Sequence, residues 1–165
     1  DTRPGPSRDD GYLSNAAFQH DTVQRSPLVR VVAIGRAVED EGIVLELIAL
    51  EIRVAGAVLH WRAHPVGAHV LGGPDFVVTD DAHTVYTLLP PTWVAGEGLV
   101  RGDTHLVPPP PLDARTMRIE VRTIGGLGRM VPPGLVSDEP VEGRWTFEFD
   151  LDQGRQRVGG GRRSS

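Results

Sequence analysis

Histidines are the residues of this chain whose type and spacing come closest to a metal site. His60, His64 and His69 lie within ten residues of one another, and imidazoles are ligands that suit Zn²⁺. On a strand, however, His60 and His64 would lie about 13 Å apart unless Pro65 ended the strand and let the chain fold back. We therefore predict no metal and no cofactor. A metal-dependent enzyme or metal-binding module built on this histidine cluster is the alternative.

Carboxylates and glycines offer weaker signals of chemistry. Asp80 and Asp81 could provide oxygen ligands for Ca²⁺, but side-chain bonds from Asp to backbone N–H groups also close turns, and we predict the turn. The Gly-rich run 125–129 lacks the helix that continues a phosphate-binding loop. Gly102, within Arg101-Gly102-Asp103, is predicted to mark a β-bulge. With no convergent catalytic set, the chain is predicted not to be an enzyme.

Trp93 is the side chain with the strongest indication of binding. It stands in the Pro-rich segment 90–96, outside any clear strand, where an aromatic residue either caps the core or contacts a partner. Pro91 beside it and Arg129 in a second long loop complete the candidate binding residues. Pro108–Pro111 is expected at the same end of the domain as Trp93.

The elements that would position these residues show the alternation typical of half-buried strands. In Arg144–Leu151 every second residue is apolar: Trp145, Phe147, Phe149 and Leu151. The segment Thr116–Arg122 repeats the pattern with Met117, Ile119 and Val121. A period of two indicates one dry face and one wet face, which antiparallel sheets have and buried parallel sheets lack.

Further strands and turns are indicated along the chain. The segment Ile43–Val54 is predicted to form two strands or one bulged strand, because β-branched residues dominate it. A hairpin is expected across the turn 80–83. The other predicted strands are Leu28–Val38, Ala57–Ala63 and Leu99–Val107. The sum of seven to nine strands predicts an all-β fold, an antiparallel immunoglobulin-like β-sandwich.

Composition divides the chain into three parts. Residues 27–152 are predicted to form the β-sandwich domain. Residues 1–26 are polar and indicate a flexible or loosely docked N-terminal arm, with at most a short helical turn at Tyr12–Phe18. Residues 153–165, rich in Gly, Arg and Ser, are predicted to be a disordered tail.

Charge and composition limit the possible partners. The formal net charge of −5 argues against nucleic-acid binding. The 165 residues contain no Cys and no apolar run of the roughly 20 residues that cross a bilayer. Because the sequence begins at Asp1, an extracytoplasmic location is expected if a leader or anchor has been lost, and a cytoplasmic one otherwise.

Several core and turn segments resemble uncharacterised immunoglobulin-like domains of actinobacteria. The segments are Val38–Leu45, Thr79–Tyr86, the Pro-rich bridge with Ala114, and the last strand Trp145–Leu151. Such domains are similar to ectodomains of some anti-sigma and envelope proteins, and the resemblance covers about Leu28–Asp152. It implies no catalytic residues.

The function that these observations favour is a non-catalytic binding or scaffolding module that contacts a protein partner. Besides the metal-dependent alternative, a structural subunit that assembles through an edge strand or the N-terminal arm stays open. No nucleic-acid partner is expected.

Overall fold

Nine strands in two antiparallel sheets form the part of the chain that the computed structural model describes, residues 8–64, 73–125 and 140–154. The chain begins with helix α1 (Arg8–Arg25) and ends in a short 3₁₀ helix (Leu151–Gly154). The strands are β1 (Leu28–Asp40), β2 (Ile43–Arg53), β3 (Gly56–His64), β4 (Pro74–Asp80), β5 (Thr87–Leu88), β6 (Thr92–Gly96), β7 (Leu99–Val107), β8 (Thr116–Ile124) and β9 (Val141–Asp150).

The two sheets differ in size. The larger sheet has the strand order β1-β2-β3-β7-β5, with β6 also paired to β7, and the smaller has the order β4-β8-β9. The antiparallel sandwich and its number of strands are therefore as the sequence predicts.

The core lies between the sheets and obeys the predicted alternation. Trp145, Phe147 and Phe149 of β9 are buried, as is Leu151 just after it. On β8 the buried residues are Met117, Ile119 and Val121. The two core tryptophans also satisfy their polar atoms: the Nε1–H of Trp61 donates to Thr104 Oγ1 at 3.0 Å, and that of Trp145 donates to the Ile43 carbonyl at 3.0 Å.

Strand β2 is one bulged strand, which the sequence predicts as the alternative to two separate strands. Its register against β3 shifts between Leu47 and Ala49. The extra residue reverses the faces of the later residues of β2, so that Leu50 is buried on the same side as Leu47. Unbroken alternation would have placed Leu50 on the opposite face. Ile48 is left on the surface with 41% of its area exposed.

The predicted hairpin across residues 80–83 is wrong. After β4 the chain leaves the smaller sheet, and β5 pairs with β7 in the larger one. Asp80 organises this crossing because its Oδ1 accepts from the backbone N–H groups of Ala82 and Thr84, at 2.9 and 3.0 Å. Those bonds hold the chain in a turn that does not return along β4.

Helix α1 is longer than the short turn expected in the N-terminal arm. It runs for 18 residues, and its last turns contact the larger sheet. Val23 is buried there against Gly56. A Cβ at Gly56 would lie 2.9 Å from a Val23 methyl, so the lack of a side chain at Gly56 makes room for Val23. No helix in the described part of the chain is long and apolar enough to cross a membrane.

Candidate functional site

The strand β6 carries Trp93, the main binding candidate that the sequence indicates. Trp93 lies opposite Gly102 of β7, and Val94 lies opposite Arg101. The prediction that Trp93 stands in a Pro-rich loop outside a strand is therefore wrong. Pro90 and Pro91 immediately precede β6. Two prolines cannot donate hydrogen bonds to a sheet, so they delay the strand to Thr92.

Gly102 allows β6 and the core to come together. A Cβ at this position would collide with the carbonyl oxygen of Thr92 and lie 2.6 Å from the ring of Trp61 and 3.0 Å from the Cβ of Trp93. The register between β3 and β7 is regular through Gly102, so the predicted bulge is wrong. The glycine is needed for close packing, which sequence alternation does not reveal.

A surface depression of about 460 Å³ extends from β6 across the larger sheet. Two of its residues expose much apolar area, Ile48 (41%) and Val94 (65%). Its polar lining includes His60, Arg101 and Asp103. The volume is in the range of ligand-binding clefts, and the lining joins apolar surface to charge.

His60 forms a polar bridge at the floor of this depression. Its Nδ1 lies 2.6 Å from Asp103 Oδ1, and its Nε2 lies 3.0 Å from Glu51 Oε1. Glu51 also pairs with Arg53 at 3.2 Å. Because a carboxylate occupies each ring nitrogen, the imidazole connects β2, β3 and β7 and has no free nitrogen for a metal.

The alternative metal set is not brought together among the described residues. His64 is four residues along β3 from His60, about 13 Å at strand spacing, and His69 lies outside the described residues. Over 8–64, 73–125 and 140–154, no group of three or more His, Asp or Glu side chains could hold a metal ion. Arg129 likewise falls outside the described part.

A second histidine cluster lies under helix α1, and the sequence alone does not predict its burial. His105 is only 2% exposed. Its Nε2 lies 2.9 Å from the side-chain nitrogen of Gln24, and its ring meets that of His20 edge to face at 4.4 Å. Burial, and secondly the nearby His20 charge, lowers the pKa of His105 to about 4. Alternation puts His105 on the outward face, where His20 and Gln24 of the docked helix contact it.

Asp80 closes the turn with bonds to backbone N–H groups, as the sequence predicts, whereas the side chain of Asp81 bonds outside the turn. Asp80 also accepts a 2.5 Å bond from the Tyr86 hydroxyl. Burial works to raise the pKa of Asp80, but the bonds from Tyr86 and the turn N–H groups outweigh it and lower that pKa. Burial and the bond to Asp80 raise the pKa of Tyr86. Asp81 Oδ1 accepts from the N–H groups of Arg115 and Thr116, at 2.8 and 3.2 Å.

Pro91 lines a smaller depression of about 240 Å³ between the two sheets, together with Phe76, Leu88 and Pro90. Pro108–Pro111 does not lie beside Trp93, contrary to the expectation from the sequence. Pro108 follows β7 and is six residues beyond Gly102, the residue opposite Trp93. Six residues span about 20 Å along a strand.

Trp93→Ala is expected to lower the free energy of unfolding by about 2 kcal/mol, because the ring is half-buried against the core. Val94→Ala, at the exposed neighbouring position, should change it by less than about 0.5 kcal/mol. Urea denaturation monitored by tryptophan fluorescence or circular dichroism measures both. Equal stability of the two variants would show that Trp93 does not support the core.

Comparison with known proteins informs the fold alone. No protein-family model matches the chain, and no curated protein matches it. Its structure is similar to the crystal structure of the conserved domain protein from Bacillus anthracis, with a TM-score of 0.52 and 11% sequence identity. The match covers 76% of this chain and 48% of that one, so this chain spans about half the length of its structural neighbour.

Proposed function

We propose that this chain is a non-catalytic, immunoglobulin-like binding module that takes up an extended segment of a protein partner along β6. The observation that carries the proposal is an open sheet edge. Within the described residues, β7 is the one strand that pairs with β6. An unpaired edge presents a row of backbone N–H and C=O groups, which an extended peptide can satisfy by adding a strand.

The composition of β6 supports this use. Proteins usually protect an edge strand with charged side chains, proline or a bulge. Thr92–Gly96 contains no charge and no proline, and all its residues except Trp93 are exposed. Trp93 anchors the strand to the core from below, which keeps the edge rigid and lowers the entropy lost on binding.

The other edges are less suited to a partner strand. Beside β1 lies β9: an Arg36 guanidinium N–H donates to the Glu148 carbonyl, and Asp40 Oδ2 accepts from the backbone N–H of Arg144 at 2.6 Å. The edge strand β4 begins at Pro74 and carries Asp75 and Asp80. Both features oppose strand addition.

The immunoglobulin-like assignment is supported by the order of the strands. In immunoglobulin constant domains, strands A, B, E and D form one sheet and C, F and G the other. The orders β2-β3-β7-β5 and β4-β8-β9 correspond to these, with β1 and β6 as additional strands. The relation to actinobacterial envelope ectodomains stays a prediction from the sequence segments that resemble them.

The proposal predicts that Val94→Glu weakens the binding of an extended peptide by roughly tenfold or more, because a charge on the edge strand opposes strand addition. The probe is the tightest peptide selected from a random-peptide display library on the immobilised protein. Isothermal titration calorimetry measures the affinities. Val77→Glu, on the exposed face of β4, is the matched control and should bind as the unmodified chain does.

Backbone methylation of the same peptide separates strand addition from other binding. Alternate N–H groups of an added strand point toward its neighbour. Methylation of one alternate set should abolish binding, and methylation of the other should be tolerated. No selected peptide, an affinity indifferent to Val94→Glu, or equal effects of both methylation patterns would refute the proposal. Dimers of the chain that dissociate in Val94→Glu would instead identify a second copy as the partner.

A further inference from the structure

The row of side chains that crosses the larger sheet beside Val94 is unbalanced in charge. On the outer face, Val94 of β6 lies opposite Arg101 of β7, which lies opposite Arg62 of β3, and Arg62 lies opposite Glu46 of β2. Two arginines directly across from each other repel, unless a carboxylate serves both.

The neighbouring carboxylates are engaged elsewhere. Glu46 Oε2 accepts from the Nε–H of Arg62 at 2.6 Å, and Asp103 Oδ1 is bonded to His60 at 2.6 Å. Arg101 is exposed, and it forms no ion pair with any residue in the described ranges 8–64, 73–125 and 140–154. Its guanidinium therefore lies at the rim of the depression with its charge unmatched by any carboxylate of those ranges.

We propose that the segment taken up along β6 carries a glutamate opposite Val94, and that Arg101 binds its carboxylate. The inference rests on the proposed function and names the partner class, an extended acidic segment. An added strand would lie one strand spacing beyond β6, so that its residue opposite Val94 is about 9.5 Å from Arg101 at the Cα atoms. Arg and Glu side chains together cover that distance across Val94, whereas the shorter Asp covers less of it.

The surroundings favour such a pair. The guanidinium group can bind a carboxylate through two parallel hydrogen bonds. Val94 and Ile48 place exposed apolar surface beside it, which contacts the methylene groups of both side chains and shields the pair from water. Arg62, on the side of Arg101 away from β6, adds positive potential, because the row contains two arginines and a single carboxylate, Glu46.

The test uses a short extended peptide of alternating threonine and valine in three forms, with glutamate, aspartate or glutamine at its centre. Fluorescence anisotropy with the full chain measures each affinity. The glutamate peptide is expected to bind roughly tenfold more tightly than the glutamine peptide, with aspartate between them, and the advantage should shrink as salt is added. Arg101→Gln should remove the advantage; Arg122→Gln, on the exposed face of β8, should retain it.

The outcomes distinguish this inference from the proposal on which it rests. Equal binding of the glutamate and glutamine peptides, with the phase-dependent effect of backbone methylation intact, would overturn the acidic preference and leave strand capture standing. A glutamate advantage that persists in Arg101→Gln would overturn the role of Arg101. Failure of all three peptides to bind would overturn the acidic preference, and it would overturn strand capture as well if no peptide is selected from the library.

Discussion

Replacing Phe147 by alanine is expected to lower the free energy of unfolding by about 3–5 kcal/mol. Phe147 is almost fully buried in the middle of β9, opposite Ile119 of β8. Truncation to alanine loses the transfer free energy of the ring and leaves a cavity that the flanking sheets cannot fill, because both are held in place by their strand pairing. Urea denaturation gives the loss as a shift of the midpoint at unchanged slope.

Glu148→Ala is the matched control on the next residue. Its side chain is exposed, and the bond that β1 makes here goes to its backbone carbonyl, which the substitution retains. The change in stability should stay within about 0.5 kcal/mol. Similar denaturation midpoints for the two variants would contradict the assignment of Phe147 to the dry face.

The sequence predicts the core well wherever alternation is unbroken. On β8 and β9 each apolar residue of the inward set lies two positions from the next, and each is buried. A strand has only two faces, so period-two spacing decides the face of a residue without knowledge of its neighbours. The same argument fails at Leu50, because a single extra residue in β2 reverses the faces after it, and several registers satisfy so apolar a strand.

Features that depend on distant parts of the chain could not be predicted. The crossing of β5 to the larger sheet depends on its pairing with β7, and local turn signals fit a hairpin equally well. At the candidate site, its aromatic side chain identifies Trp93 as a binding candidate from the sequence. Its position in a strand, however, depends on Gly102, which has no side chain and so makes room for β6. The unmatched charge of Arg101 depends on the cross-strand register alone.

Acidification from neutral pH to about pH 4 is expected to destabilise the docked helix α1 through His105. The pKa of His105 is lowered to about 4 from its ordinary value of 6.5, so the unfolded chain takes up a proton over this interval and the folded chain does not. Stability is therefore fully present above pH 6.5 and falls as the pH is lowered toward 4, by up to roughly 3 kcal/mol. The groups facing the ring are His20, Gln24, Glu51, His60 and Asp103.

The loss should appear first at α1, because protonation of His105 places a charge beneath the helix, at a buried ring that contacts His20 at 4.4 Å. Hydrogen exchange of the last turns of α1 should accelerate between about pH 6.5 and 4, after correction for intrinsic exchange, before β8 and β9 open. The lowered pKa values of Asp80, Asp81 and Glu120 make their contributions to stability decline only as the pH falls below the ordinary values of 3.8 for Asp and 4.5 for Glu, at the lower end of this interval and beneath it. His105→Gln retains an amide that can bond to Gln24 and removes the titration. A decline in stability of equal size in His105→Gln would show that another group controls the acid response.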